Sequence, residues 1–125
     1  MRVIICGSRY WSDRDMILDF MKTLPKDTVI IHGNANGADT IAGEIGKELN
    51  LEVIPYPAKW KRYGRSAGPI RNKQMIDEGH PDLVVAFHND IINSKGTADM
   101  IRQAKKAGIT TSIFPIISGC VGCNG

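Results

Sequence analysis

The sequence predicts an α/β fold, in which helices cover both faces of a five-stranded parallel sheet. Five short apolar runs rich in valine and isoleucine lack the alternation of apolar and polar residues, as is typical of strands buried on both faces. Longer segments with a helical period separate these runs, and such alternation of strands and helices indicates a parallel sheet.

The predicted strands are the apolar runs at residues 2–6, 28–32, 51–56, 83–87 and 111–114. Helices are predicted over residues 12–24, 38–50, 69–79 and 97–107, from apolar residues spaced three and four apart. Ser12 and Asp13 are candidate caps of the first helix, Pro69 a favoured opening of the third, and Gly108 a candidate C-cap of the fourth.

Right-handed crossover connections limit this pattern to a Rossmann-like three-layer sandwich. We expect the strand order 3-2-1-4-5, in which the progression of strands along the sheet reverses between the first and fourth strands. Ligands of such sheets bind outside the carboxyl ends of the strands at that reversal. The loops that follow the strands are therefore the first places to look for a site.

The 125 residues fit one domain, which we place at residues 1–115, followed by a flexible tail at 116–125. The net charge of +3 is too small to indicate nucleic acid by itself. No apolar run has membrane-spanning length, and no signal peptide is expected. The three cysteines make no disulfide framework, so we expect the cytosol. Cys120 and Cys123 form a lone C-x-x-C pair, to which we assign no function.

The loop after the first strand is Gly7-Ser8-Arg9. Glycine permits close backbone approach, and the hydroxyl and guanidinium suit a phosphate. The loop lies at the predicted reversal, which favours ligand binding over an ordinary turn with a surface arginine.

The loop after the second strand holds Gly33, Asn34, Gly37 and Asp39 and leads into a helix, whose first N–H groups can bind an anion. Asp39 could hold a ribose hydroxyl, or it could cap the helix or favour its dipole. We expect His32 to be a packing residue of the strand end.

The loop after the fourth strand contains Asp90, Ser94, Gly96 and Thr97. Thr97 can cap the next helix, and the remaining N–H groups can hold phosphate. A capped helix without any ligand is the alternative.

Residues 59–73 contain six basic residues and no acid, with Trp60 and Tyr63 interleaved. The segment suits a nucleotide base with phosphates, or single-stranded nucleic acid, although a charge run can also be a solvated loop. We favour an anionic ligand, with Arg71 and Arg65 neutralising its charge.

Four segments in order resemble the YspA-type (cpYpsA-related) branch of the SLOG superfamily: Gly7-Ser8-Arg9, His32 to Asp39, Gly68 to Asn72, and Ser94 to Thr97. The resemblance covers residues 1–114. It implies a Rossmann-like fold with a nucleotide-derived ligand at the reversal point. The superfamily includes LOG phosphoribohydrolases, DprA-type proteins that bind single-stranded DNA, and sensor domains for signals similar to cyclic ADP-ribose.

The chain departs from the LOG pattern where that family has a catalytic glutamate, because Met100 stands there. Arg71 matches the catalytic arginine of the LOG family. Asp99 is one residue from the position of the glutamate, which on a helix is a rotation of about 100°. Binding of a nucleotide or ADP-ribose-like molecule, for sensing, sequestration or processing, is therefore the leading hypothesis. The alternatives are a nucleotide hydrolase using Asp39, Arg71 or Asp90, and a DprA-like binder of single-stranded DNA.

We expect no cofactor, no metal and no membrane partner. We also expect a homodimer, because relatives in the family pair through helices that flank the site. Its interface would use the apolar side chains of Trp60, Ile70, Met75 and Ile76.

Overall fold

The computed structural model describes residues 1–115. Its strands are β1 (Arg2–Gly7), β2 (Val29–His32), β3 (Glu52–Pro55), β4 (Leu83–Phe87) and β5 (Thr110–Phe114). Its helices are α1 (Arg14–Met21), α2 (Ala38–Glu48), α3 (Trp60–Tyr63), α4 (Ala67–Gly79) and α5 (Gly96–Lys106). Single 3₁₀ turns lie at Gly64–Ser66 and Ile91–Asn93. The predicted flexible tail, with Cys120 and Cys123, lies outside the described residues.

All neighbouring strands are parallel, and their order is β3-β2-β1-β4-β5. The predicted Rossmann-like fold and strand order are confirmed. Ile4 pairs with Ile31 on one side and with Val84 on the other, so the central strand is hydrogen-bonded along both edges. The order reverses between β1 and β4, and the loops after these two strands flank that point.

Two apolar layers lie on opposite faces of the sheet, because successive side chains of a strand point to opposite sides. Helices α1 and α2 cover the layer that contains Ile5 and Phe87. Helices α4 and α5 cover the layer that contains Ile4 and Met100. Among residues 1–115, no helix has the length and hydropathy to cross a membrane.

Helix α1 begins after one of its two predicted caps and ends earlier than predicted. Asp13 is its cap, accepting the Met16 N–H at 3.1 Å, and Ser12 has no such role. The helix ends at Met21 instead of near Leu24, because the Thr23 and Leu24 N–H groups donate to the carbonyls of Phe20 and Met21, three residues back, and form a tighter turn. Leu24 still packs against the core.

Helix α4 opens at Ala67, two residues before the predicted start at Pro69. Proline is tolerated there, because N–H groups of a first helical turn have no partner within the helix. The basic segment before it, for which we predicted no helix, forms α3 and a 3₁₀ turn.

The predicted dimer interface needs a correction at Met75. This side chain is only 1% exposed and belongs to the core under α4, and Ile76 packs against the same cluster. The apolar residues of α4 that we assigned to a dimer interface therefore include two that pack against the protein's own sheet. Trp60 and Ile70 do lie on the surface.

Candidate ligand site at the carboxyl edge of the sheet

The loops after β1 and β2 are bound to each other. The Ser8 carbonyl accepts the N–H groups of Trp11 and Ala38, both at 3.1 Å. Gly37 precedes α2 with φ 76°, and a Cβ there would collide with Ser8 and with the Arg9 carbonyl carbon at 2.6 Å. Gly7 is equally confined, since its Cβ would lie 2.9 Å from that of Ala38. These two glycines let the loops approach each other.

The N–H groups at the start of α2 already donate hydrogen bonds to carbonyls of the protein. Ala38 donates to Ser8, Thr40 donates to Ala35 at 3.2 Å, and Ile41 donates to Gly37 at 3.0 Å. Few of the N–H groups predicted to hold an anion at this helix are therefore available. Asn34 in the same loop is exposed and has φ 56°.

Asp39 lies in the first turn of α2 and is only 4% exposed. Its carboxylate accepts the Gly33 N–H at 2.7 Å, which closes the loop after β2. Burial raises the pKa of Asp39 to about 6, although the Gly33 N–H and the nearby Arg71 charge oppose this shift. Asp39 therefore holds the loop after β2 and does not cap α2, because Gly37 is the residue that precedes the helix.

Arg71 of α4 lies on the other side of Gly33. Its guanidinium donates to the carbonyls of Gly33 and Tyr56 and, through Nε, to Asn72 Oδ1 at 3.0 Å. A Cβ at Gly33 would lie 2.6 Å from the guanidinium carbon, so a side chain there would displace Arg71 from this position. Burial lowers the pKa of Arg71, and the negative charge of Asp39 opposes that shift.

Asn72 carries this network to α5. Its amide nitrogen donates to the Gly96 carbonyl at 3.1 Å and to Asp99 Oδ2 at 3.0 Å. Asp99 also accepts from Gln103 at 2.8 Å and pairs with Arg102 at 2.7 Å. The loop after β2 and the starts of α4 and α5 are thereby joined at one edge of the sheet.

The start of α5 is more open than that of α2. Lys95 is the residue that precedes the helix, and Ser94 Oγ accepts the Thr97 N–H at 3.0 Å, so Thr97 is not the cap that we predicted. Thr97 lies inside the first turn and is 6% exposed. Gly96 is exposed, and a Cβ added to it would meet no atom within 4 Å.

Three other predicted site residues are exposed. Arg9 lies over the Tyr10 ring, 5.4 Å from its centroid, and Arg65 lies in the 3₁₀ turn after α3. Asp90 accepts from the Asn93 amide at 2.8 Å. The structure thus brings Asp39, Gly33 and Arg71 together, and it leaves Asp90 outside this network.

Two buried groups nearby are unsuited to acid–base or nucleophilic work. His32 packs over Gly43 of α2 and accepts the Asn34 N–H at 3.0 Å, and burial lowers the pKa of its imidazole. Burial also raises the pKa of the Cys6 thiol far above its usual range. His32 is therefore the packing residue that we expected.

Sequence reasoning did not assign roles to Asn72 and Asp99. Both are buried polar residues, 3% and 8% exposed, on the faces by which α4 and α5 contact each other. The sequence did contain a sign of their burial, because Asn72 lies three residues before the core residue Met75 and Asp99 lies next to the core residue Met100. Buried polar groups at such positions need hydrogen-bond partners.

A cleft of about 200 Å³ lies between α3 and α4. Its lining includes Lys59, Tyr63, Ile70 and Arg71. The basic segment predicted from the sequence therefore forms one wall of a concave surface. Arg71 contributes to this cleft and to the edge network.

Comparisons with known proteins agree with the fold. The model of the family described as "YspA, cpYpsA-related SLOG family" matches residues 1–63. The chain is 38% identical to the Gene 61 protein of Mycobacterium phage D29 over 122 residues, which covers 90% of this chain and 95% of the relative.

Among solved structures, DNA processing protein A (DprA) from Streptococcus pneumoniae superposes with a TM-score of 0.73 at 20% sequence identity. The match covers 93% of this chain and 50% of that chain, so this chain spans about half the length of DprA. This likeness supports the architecture of the sheet and its helices.

Proposed function

Because the chain belongs to the YspA, cpYpsA-related SLOG family, we propose that it binds a phosphate-bearing, nucleotide-derived small molecule at the carboxyl edge of the sheet. The ligand lies at the reversal between β1 and β4, where open α/β sheets bind their ligands. Its phosphate lies at the start of α5, and Ser8 and Arg9 contact it from the opposite loop.

The observation that carries this proposal is the open start of α5. Gly96 leaves space beside the first turn, and helix N-termini attract anions through their N–H groups and their partial positive charge. Protein acceptors also take the Thr97 and Asp99 N–H groups of α5, but the start of α2 is in addition covered by the Ser8 carbonyl, which accepts from Ala38. The Asn72 amide donates to the Gly96 carbonyl, and Asn72 in turn accepts from Arg71 Nε, which supports a proposed phosphate site that is ordered without ligand.

Binding without hydrolysis is the function that we favour. Met100 occupies the position of the LOG glutamate, and its side chain is 1% exposed in the core. Asp39 is buried and engaged by the Gly33 N–H, and Asp90 lies on the surface with Asn93. No acid is therefore presented toward α5 by these candidates.

The test is a thermal-shift screen of mononucleotides, dinucleotides and ADP-ribose variants. A ligand at about 100 times its Kd should add about 2.7 kcal/mol, which raises Tm by roughly 10 °C for a domain of this size. We expect Gly96→Asp to abolish the shift, because its carboxylate repels the phosphate. Without ligand, this variant should be as stable as the wild type or more so, since an acid at a helix start is favourable.

The matched control is Gly96→Asn, which adds nearly the same volume without a charge. It should retain a larger ligand shift than Gly96→Asp. Equal shifts in the wild type and both variants would place the ligand elsewhere and overturn the proposal.

A further inference from the structure

Positive charge is concentrated in one segment of the chain. Residues 57–74 contain six of the sixteen lysines and arginines and none of the thirteen acids. The rest of the chain therefore carries more acids than bases, although the net charge of the whole is +3. A segregated charge of this kind creates a local potential that attracts anions.

These charges remain largely uncompensated. Among the described residues, only Lys73 of this segment forms a salt bridge, with Asp77 at 2.5 Å. The side chains of Lys59, Lys61, Arg62 and Arg65 are exposed. Their charges are therefore available to a partner.

Aromatic side chains lie among the cations. Trp60 is 59% exposed, although one edge of its ring faces Gly68. The Arg62 guanidinium lies 5.1 Å from the centroid of the Tyr63 ring, in cation–π geometry. Exposed rings between cations are the elements with which proteins stack bases and neutralise phosphates.

The cleft between α3 and α4 combines both properties. Tyr63 and Ile70 provide apolar surface, while Lys59 and Arg71 provide charge. The Gly33 and Tyr56 carbonyls and Asn72 fix the Arg71 guanidinium through Nη1 and Nε. Nη2 has no partner among residues 1–115, so an oriented pair of donors remains for an oxyanion.

We propose that this cleft is a second binding site, for one nucleotide unit, with its phosphate at Lys59 and Arg71 and its base against Tyr63. The proposal goes beyond the sheet-edge ligand, because it uses α3 and not the start of α5. The chemistry is shared by a free nucleotide and by a nucleotide within a single strand. We favour the single strand, because Lys61, Arg62 and Arg65 can meet neighbouring phosphates.

Trp60 fluorescence provides the test, because Trp60 is exposed in the same short helix as Tyr63, whereas Trp11 is 7% exposed and shielded from a ligand at the surface. The protein is titrated with a 12-nucleotide oligothymidylate and, separately, with thymidine 5′-monophosphate. We expect the oligonucleotide to quench Trp60 and to bind at least about tenfold more tightly than the mononucleotide. Its affinity should fall with salt, with a log–log slope of about −0.7 for each phosphate contacted.

Variants then locate the site. Tyr63→Ala should weaken oligonucleotide binding about tenfold, within the range for loss of one stacked base. Lys59→Ala should weaken it and make the salt slope shallower. Lys26→Ala is the matched control, since Lys26 is an exposed lysine in the loop before β2, at the opposite edge of the sheet.

Several results would overturn the proposal. One is the absence of Trp60 quenching by the oligonucleotide. Another is an equal loss of affinity in Lys26→Ala and Lys59→Ala, which would show that the oligonucleotide responds only to the overall charge of the protein. Equal affinity for both probes would overturn the single strand as the source. Gly96→Asp should leave this signal unchanged; its loss would mean one site instead of two. The fluorescence titration does not test the proposed site at Gly96, which the thermal-shift screen tests. Either proposal can therefore fail while the other stands.

Discussion

Glycine has two different purposes at this sheet edge. Gly7 and Gly37 are needed because backbone atoms lie where their Cβ atoms would be, and a Cβ at Gly33 would displace the Arg71 guanidinium. Gly96 has open space around it, and its neighbours do not demand glycine. A sequence pattern rich in glycine therefore indicated the right loops, while only one of these four positions leaves room for a ligand.

The Asp39 carboxyl is the residue with the clearest expected effect of pH on stability. Its pKa is about 6 in the folded protein, above the ordinary value of 3.8 for this carboxyl, because burial penalises the charged form. Between these values the unfolded chain loses its proton while the folded protein keeps it. The free energy of unfolding contributed by Asp39 therefore falls as pH rises through this window, by up to about 3 kcal/mol.

We predict that Asp39→Asn reduces this dependence. Urea unfolding at pH 4, 5, 6 and 7.5 should show the wild type losing stability relative to the variant as pH rises, with little further change above pH 7. Asp27→Asn, at an exposed loop carboxylate, is the control and should follow the wild type. A constant difference between wild type and Asp39→Asn at every pH would contradict the prediction.

At the scale of elements, α4 and α5 are joined by a polar contact within an otherwise apolar layer. Asn72 is satisfied from three directions, by Arg71, Gly96 and Asp99. Because Asn72 and Asp99 are both buried and bond across the two helices, this contact helps to set how α4 and α5 meet. It also places the Gly96 turn relative to Arg71.

We predict that Asn72→Ala lowers the free energy of unfolding by about 1–3 kcal/mol, since it leaves buried polar groups unsatisfied. A double-mutant cycle with Asp99→Ala should give a coupling of about 0.5–3 kcal/mol, measured by urea unfolding. Gln74→Ala is the control, because the Gln74 amide makes only an exposed 3.4 Å contact with Glu78. Additive effects of Asn72→Ala and Asp99→Ala would show that the contact is not a coupled pair.

At the scale of the whole molecule, the charged segment and the sheet edge lie on either side of Arg71. The guanidinium contacts the loop after β2 and lines the α3 cleft. The two proposed anion sites are therefore neighbours that share Arg71 as their boundary.

The homodimer stays a prediction, now confined to Trp60 and Ile70, which are 59% and 41% exposed. Sedimentation equilibrium should give twice the 13.7 kDa chain mass, and Ile70→Lys should reduce it to the monomer. Ile92→Lys is the control, since Ile92 is exposed and lies beyond β4. A monomer mass for the wild type at high concentration would refute it. Because the dimer would cover Trp60, the oligonucleotide should favour the monomer.

The sequence by itself determined the sheet. Buried strands leave apolar runs, helices leave a period, and right-handed crossovers allow few orders, so local patterns were sufficient for β3-β2-β1-β4-β5. It also indicated which loops meet at the carboxyl edge and where positive charge collects. The cap at Asp13 was equally predictable, because capping is a contact within one turn.

Only the tertiary structure decided what the polar residues of that edge do. Gly33 and Arg71 are 38 residues apart and Asn72 and Asp99 are 27 apart, yet each pair is in contact. The burial of Asp39, the packing of Met75 and the open space at Gly96 likewise depend on which distant segments come near. Such contacts follow from the docking of whole helices on the sheet, and that docking leaves no local pattern in the chain.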